Sequence, residues 1–164
     1  MYLYGVKVRS FMLKEFWILI KMLFASDVKK TDKVEVIDMK HFPFKGYKAM
    51  CWCGKIIHRI GTSEVDERTI RHETIHLLQA KQCGSWWKYY AKYMLEWLKG
   101  NPFTAPSSSA YYTIPWEMAA YANEDNPAYI QSFTDDSDTR YRIKHRKRIY
   151  KEYRFEWKNY VKSL

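Results

Sequence analysis

A glutamate directly follows the first of two histidines four residues apart at His72-Glu73-Thr74-Ile75-His76. On a helix, positions i and i+4 lie one above the other on one face, so the two imidazoles could grip a single cation with Glu73 beside them. In a chain of this composition the pattern would arise by chance at on the order of 1%, which favours chemistry over two surface histidines on an amphipathic helix. A catalytic zinc site needs three protein ligands and an open fourth position, so a third donor must come from elsewhere in the chain. It is not a histidine at the spacing H-E-x-x-H-x-x-G-x-x-H, because Gln79 and Gln82 occupy the glycine and final histidine positions. A carboxylate on a later helix is the best remaining donor. Glu117, in the segment Pro115-Trp116-Glu117-Met118-Ala119-Ala120-Tyr121, is the first candidate, and Ala120 on its face would let that helix come close. Glu124, seven residues on and on roughly the same face, is the alternative metal ligand, and Glu96 is third.

The elements that must position these residues can be read from periodicity and punctuation. Residues 34–39 alternate apolar and charged and predict a short strand; residues 48–60 are a second extended candidate, with Gly54 allowing a turn or bulge. Gly61-Thr62-Ser63 breaks that pattern, and Asp66 or Ser63 can cap a motif helix running to about Cys83, with Gly84 as its stop. Ile70, Ile75, Leu77 and Leu78 supply its apolar surface. An aromatic helix is predicted over residues 86–99, then a loop over 101–113, whose prolines and Ser107-Ser108-Ser109 run make it the best candidate for a mobile segment. Pro115 suits the first turn of a helix reaching about Asn123, and Asn126-Pro127 marks a break. Residues 139–164 read as a basic helix with Tyr150, Tyr153, Trp157 and Tyr160 at helical spacing.

At 164 residues, with 47% hydrophobic and 28% charged side chains, 6 Gly and 5 Pro, the chain fits one domain with a buried core and excludes a disordered, collagen-like or coiled-coil protein. Its 29 aromatic residues suit a core or cleft built of large rings with polar edges. The net charge of +10 is concentrated in residues 140–162 and could draw the chain to acidic peptide, nucleic acid or anionic lipid, although a helix whose aromatic stripe packs on the domain and whose charges are hydrated is the preferred reading. The apolar run 11–25 is interrupted by Lys14, Glu15 and Lys21 and is too short for a membrane span. It lacks a clean signal-peptide cleavage site, so a cytoplasmic location is expected. As a helix it would turn Phe16, Leu19, Ile20 and Leu23 toward a core. Cys51, Cys53 and Cys83 could make a soft metal site but read as reduced, small, buried apolar residues.

Over roughly residues 48–126, the His-Glu-x-x-His motif and the later Glu117-x-x-Ala120 pattern resemble the gluzincin metallopeptidases, the thermolysin-like set. The resemblance implies that His72, His76 and Glu117 bind Zn²⁺ and that Glu73 is the general base for water attacking a peptide bond. It also implies a Tyr or His oxyanion donor, with Tyr111, Tyr112, Tyr121 and His58 as candidates in oxyanion or supporting roles. Members often carry an aspartate four residues after the glutamate ligand to support a histidine; here that position is Tyr121, so Tyr121 or another acceptor must serve. They also add substrate as an extra strand beside the edge strand preceding the motif helix, which would be residues 55–60.

The expectation is therefore an α+β fold: a small N-terminal β-sheet packed on a zincin-like helical core with the His-Glu-x-x-His helix, and a long basic C-terminal helix. A single domain would comprise a helical arm (1–33), a catalytic core (34–130) and the basic helix (139–164). The expected activity is zinc-dependent hydrolysis of a peptide or protein substrate. Nucleic acid is not the expected partner. The alternative is a non-catalytic, metal-stabilised binding module contacting nucleic acid or anionic surfaces through the basic helix.

Overall fold

Alternation of apolar and charged residues near the N-terminus becomes strand β1 (Glu35–Met39), and residues 48–60 become a hairpin of β2 (Ala49–Trp52) and β3 (Lys55–Arg59). The structure is a computed structural model describing residues 3–100, 107–135, 137–148 and 151, the side chains of 3–11 and 107–109 excepted. The hairpin turns at Cys53 and Gly54, both with positive φ (51° and 78°), the backbone that a two-residue turn between twisted strands requires. A Cβ on Gly54 would lie 2.4 Å from Thr31 Cγ2, so the site needs glycine on steric grounds as well.

The sheet order is β1-β3-β2, with β1 parallel and β2 antiparallel to β3. Residues 55–60 were expected to provide the edge; instead β3 is the central strand, and Ile56 and Ile57, which point to opposite faces, are both fully buried. The edges are β1 and β2, and β2 is the one against the motif helix.

Helix α1 (Leu3–Ala25) crosses the sheet, where Leu19 packs with Met39, Phe42 and Ile57. Trp52 Nε1 donates to the Leu19 carbonyl at 2.8 Å. Of the predicted core stripe, Leu19 and Leu23 are buried and Ile20 is half-buried, but Phe16 is 47% exposed. A short 3-10 turn (Val28–Lys30) leads to the sheet, and buried Val28 joins Leu23 in the second core cluster.

Helix α2 (Glu67–Cys83) is set by its ends. The Asp66 carboxylate accepts from the Thr69 amide at 2.8 Å, and Gly84 closes the helix in the left-handed conformation. Ile75, Leu77 and Ala80 are buried to 1% exposure or less, Leu78 is half-buried, and Ile70 faces solvent. Helix α3 (Trp86–Lys99) starts at the Ser85 cap and buries Trp86 and Tyr89 against α2. The loop expected over residues 101–113 contains helix α4 (Ser107–Tyr112). Packing overrides the serine run there: Ala110 is fully buried, its Cα 3.1 Å from where a Cβ on Gly100 would stand. Residues 101–106, the other half of that expected loop, lie outside the described residues.

Helix α5 (Pro115–Asn123) begins with proline at its first position and packs on α2, where the Trp116 carbonyl accepts from Gln79; its Ala119 and Ala120 are both 0% exposed. Helix α6 (Pro127–Ser132) is capped by Asn126, and α7 (Ser137–Lys144) packs on α5. The expected continuous helix over 139–164 is interrupted at a turn at His145, with helical backbone again at 146–148. Tyr150, Tyr153, Trp157 and Tyr160 lie outside the described residues. The architecture is mixed α+β, with seven α-helices and a three-stranded sheet among the described residues. No helix among them is long and apolar enough to cross a membrane.

Candidate metal centre

The 3.6-residue repeat of α2 stacks His72 and His76 on its buried face, with ring centroids 4.8 Å apart and the two Nε2 atoms 3.1 Å apart. Helix α5 lays its first turn across them. Glu117 Oε2 stands 3.3 Å from His72 Nε2, and Oε1 stands 3.3 Å from His76 Nε2. His72, His76 and Glu117 are all buried, at 6%, 4% and 3% exposure, and form a group that could hold a metal ion.

Tautomers in this group follow from the groups behind the rings. Gln79 donates through its amide nitrogen to the Trp116 carbonyl (3.2 Å) and to Thr139 Oγ1 (3.3 Å), which turns its carbonyl oxygen to His76 Nδ1 at 2.8 Å. Glu124 Oε2 accepts from His72 Nδ1 at 2.7 Å. Both Nδ1 atoms therefore carry protons, and in the neutral rings both Nε2 lone pairs converge on one point beside a carboxylate. Either a proton or a cation must stand there. Burial opposes charge on His76, but Glu117's carboxylate outweighs it, and the imidazole is pushed up to about 9. Burial likewise opposes ionisation of Glu117, but the His76 charge and hydrogen bonds from both rings hold it below the usual carboxylate range.

Glu124, weighed as an alternative ligand, instead orients His72 from behind. Arg68 Nη2 grips its other oxygen at 2.6 Å, and Arg71 Nε holds its main-chain carbonyl at 2.7 Å. Glu96 is elsewhere, buried in an ion cluster with Lys99 and with Arg146 (3.0 Å), which follows α7. The sequence reading missed Gln79, Arg68 and Tyr93, whose hydroxyl donates to Glu117 Oε1 at 2.6 Å. Gln79 could have been found by its i+3 spacing from His76 on the same buried face; Tyr93, on another helix, carries no such signal.

Glu73 is buried beside the pair, held by the backbone N–H of Cys51 on β2, while its Oε2 has no hydrogen-bond partner. Burial raises its pKa, and the neighbouring imidazoles only partly offset this. It faces a cleft of about 360 Å³ shared by His72, Ala49, Tyr111, Tyr112, Tyr121 and Glu124. The Tyr121 ring lies 4.5 Å from that of His72 and 5.5 Å from that of Tyr112. Tyr121 and Tyr111 are both pushed above the usual phenol range, first by burial and then by Glu117, so both remain donors. His58 lies away from the cleft: β3 is central, and the ring is engaged by Asp38 (2.7 Å), the Ser63 carbonyl (3.0 Å) and Thr62 (3.1 Å). The three cysteines are free, and none belongs to a metal-ligand group among the described residues.

Comparison of the chain with protein-family models, curated proteins and solved structures finds no match in any of the three.

Proposed function

We propose that the chain is a zinc-dependent metallopeptidase in which His72, His76 and Glu117 hold the ion and Glu73 is the general base. The observation that carries this is the convergence of two imidazole lone pairs, their Nδ1 atoms both committed, onto one point beside a buried carboxylate. The spacing is compatible with a shared cation: the two Nε2 atoms are 3.1 Å apart, each lies 3.3 Å from a different oxygen of Glu117, and one donor atom from each of the three residues lies within 4.8 Å of the others.

A zinc ion there would acidify water in its open position to a pKa of about 7 and polarise a peptide carbonyl. Glu73, with one oxygen free and a raised pKa, is suited to take the water's proton and return it to the leaving amine. Tyr121, Tyr112 and Tyr111 line the same cleft and are the donors available to a developing oxyanion. Lys48's carbonyl pairs with Arg59 on β3, so the alternation of the strand turns the main-chain groups of Ala49 outward, where an extended peptide could add to β2.

The test is metal analysis of the purified protein together with a peptide-library digest by parent and Glu73→Gln. Bound zinc in both proteins, with cleavage by the parent alone, is expected. Zinc in both with cleavage by neither would favour a metal-stabilised binding module, and cleavage by Glu73→Gln at the parent's rate would remove Glu73 from the chemistry.

A further inference from the structure

Helix α1 carries more apolar surface than its core contacts use. Leu13, Trp17, Ile20 and Phe24 recur at i, i+4, i+7 and i+11, on a face turned away from buried Leu19 and Leu23. Trp17 is 59% exposed and Phe24 73%. Helix α3 has a second such stripe, Trp87, Met94 and Leu98, again at i, i+7 and i+11 and all exposed. The stripes meet where Phe24 packs edge-to-face on Trp87, ring centroids 5.3 Å apart.

The exposed charges that α1 and α3 themselves place beside these stripes are lysines, and Asp27, just past α1, is tied to the Lys29 amide. Exposed Lys21 lies beside the α1 stripe, and exposed Lys88 and Lys92 follow one side of the α3 stripe. The only acids in the two helices are Glu15, tied to the amides of Lys40 and His41, and Glu96, buried against Arg146. Tryptophan and phenylalanine on an apolar face rimmed by lysine are the side chains that settle at a headgroup boundary. A second copy of the chain would fit less well, since a two-fold contact would set lysine rims of one sign against each other.

We propose that the joined apolar stripes of α1 and α3 are a docking surface for an anionic lipid bilayer, on which the chain lies without spanning it. The binding free energy comes from burying Trp17, Phe24, Trp87 and Leu98 among acyl chains and from placing the lysines over lipid phosphates.

Co-flotation of the full-length protein with phosphatidylcholine vesicles, with and without phosphatidylglycerol, tests this. Binding is expected only where the anionic lipid is present. It should weaken with added salt, fall about fivefold for each of Lys88→Gln and Lys92→Gln, and be lost in Trp17→Asp. That exposed position should leave the thermal unfolding midpoint unchanged, which separates lost docking from lost folding. Failure of the parent to float with anionic vesicles, or equal flotation with both compositions, would overturn the proposal. So would a parent dimer in sedimentation that Trp17→Asp dissociates while vesicle binding is absent.

Discussion

At the scale of single residues, the centre divides into groups that would touch an ion and groups that hold those groups still. Glu117 is of the first kind and Glu124 of the second, and the two should separate by magnitude. Glu117→Ala removes one of three donors and is expected to leave little bound zinc. Glu124→Gln keeps all three donors but takes the carboxylate from His72 Nδ1, and loss of such support lowers metal affinity about 10 to 100-fold. Competition titration against a chromophoric chelator checks the order; a greater loss from Glu124→Gln would exchange their roles. His72, Glu73 and His76 were legible in the sequence because helical spacing alone puts them together. Glu117 needed the proline that starts its helix and the small residue one turn later. Glu124, the alternative ligand in the sequence, sits behind His72 and outside the group His72, His76 and Glu117, since helical phase gives direction and not reach. His58 was a poor candidate because nothing local in its sequence reveals that Asp38, on a parallel neighbouring strand, claims its ring.

Among the elements, α2 depends on its caps and the β2–β3 hairpin on its turn. Hydrogen bonds from Thr69 hold the Asp66 carboxyl down to about 2, below its ordinary value near 3.8. Because the folded value is the depressed one, the stabilisation is present above about pH 4 and is lost as pH falls toward 2. Asp66→Ala should lower stability by about 1 kcal/mol, or about 2–4 °C in the unfolding midpoint, and should flatten the pH dependence in that window. Thermal scans of both proteins from pH 5 to pH 2 decide it; parallel curves would deny Asp66 the capping role. Gly54→Ala should be destabilised by more than about 1 kcal/mol, since the new Cβ needs both a positive φ and the space of Thr31, and chemical denaturation measures it. Several helix ends in this chain were readable because single residues with a local physical reason mark them: Asp66, Gly84, Pro115. Strand order was not readable, because which of two extended segments becomes central depends on which faces α1 and α2 cover. The short helix α4 escaped for the same kind of reason: serines say little about a segment whose register is set by Ala110 against Gly100.

For the molecule as a whole, two long-range contacts shape the site: α5 packed on α2 through Trp116 and Glu117, and the antiparallel edge strand β2 closing the cleft beside Glu73. An ion bound only to the folded state must stabilise all of it. At free zinc a thousandfold above its dissociation constant the gain is about 4 kcal/mol, so the unfolding midpoint should rise with zinc and fall back with chelator. In His72→Ala and His76→Ala it should not move. The convergence of three distant side chains on one cation is tested most directly by anomalous scattering at the zinc edge from crystals of the zinc-loaded protein. The account requires one strong peak about 2.0–2.2 Å from His72 Nε2, His76 Nε2 and a Glu117 oxygen, with the remaining position open to the cleft. A peak elsewhere, or one whose fourth ligand is a protein side chain, would contradict it.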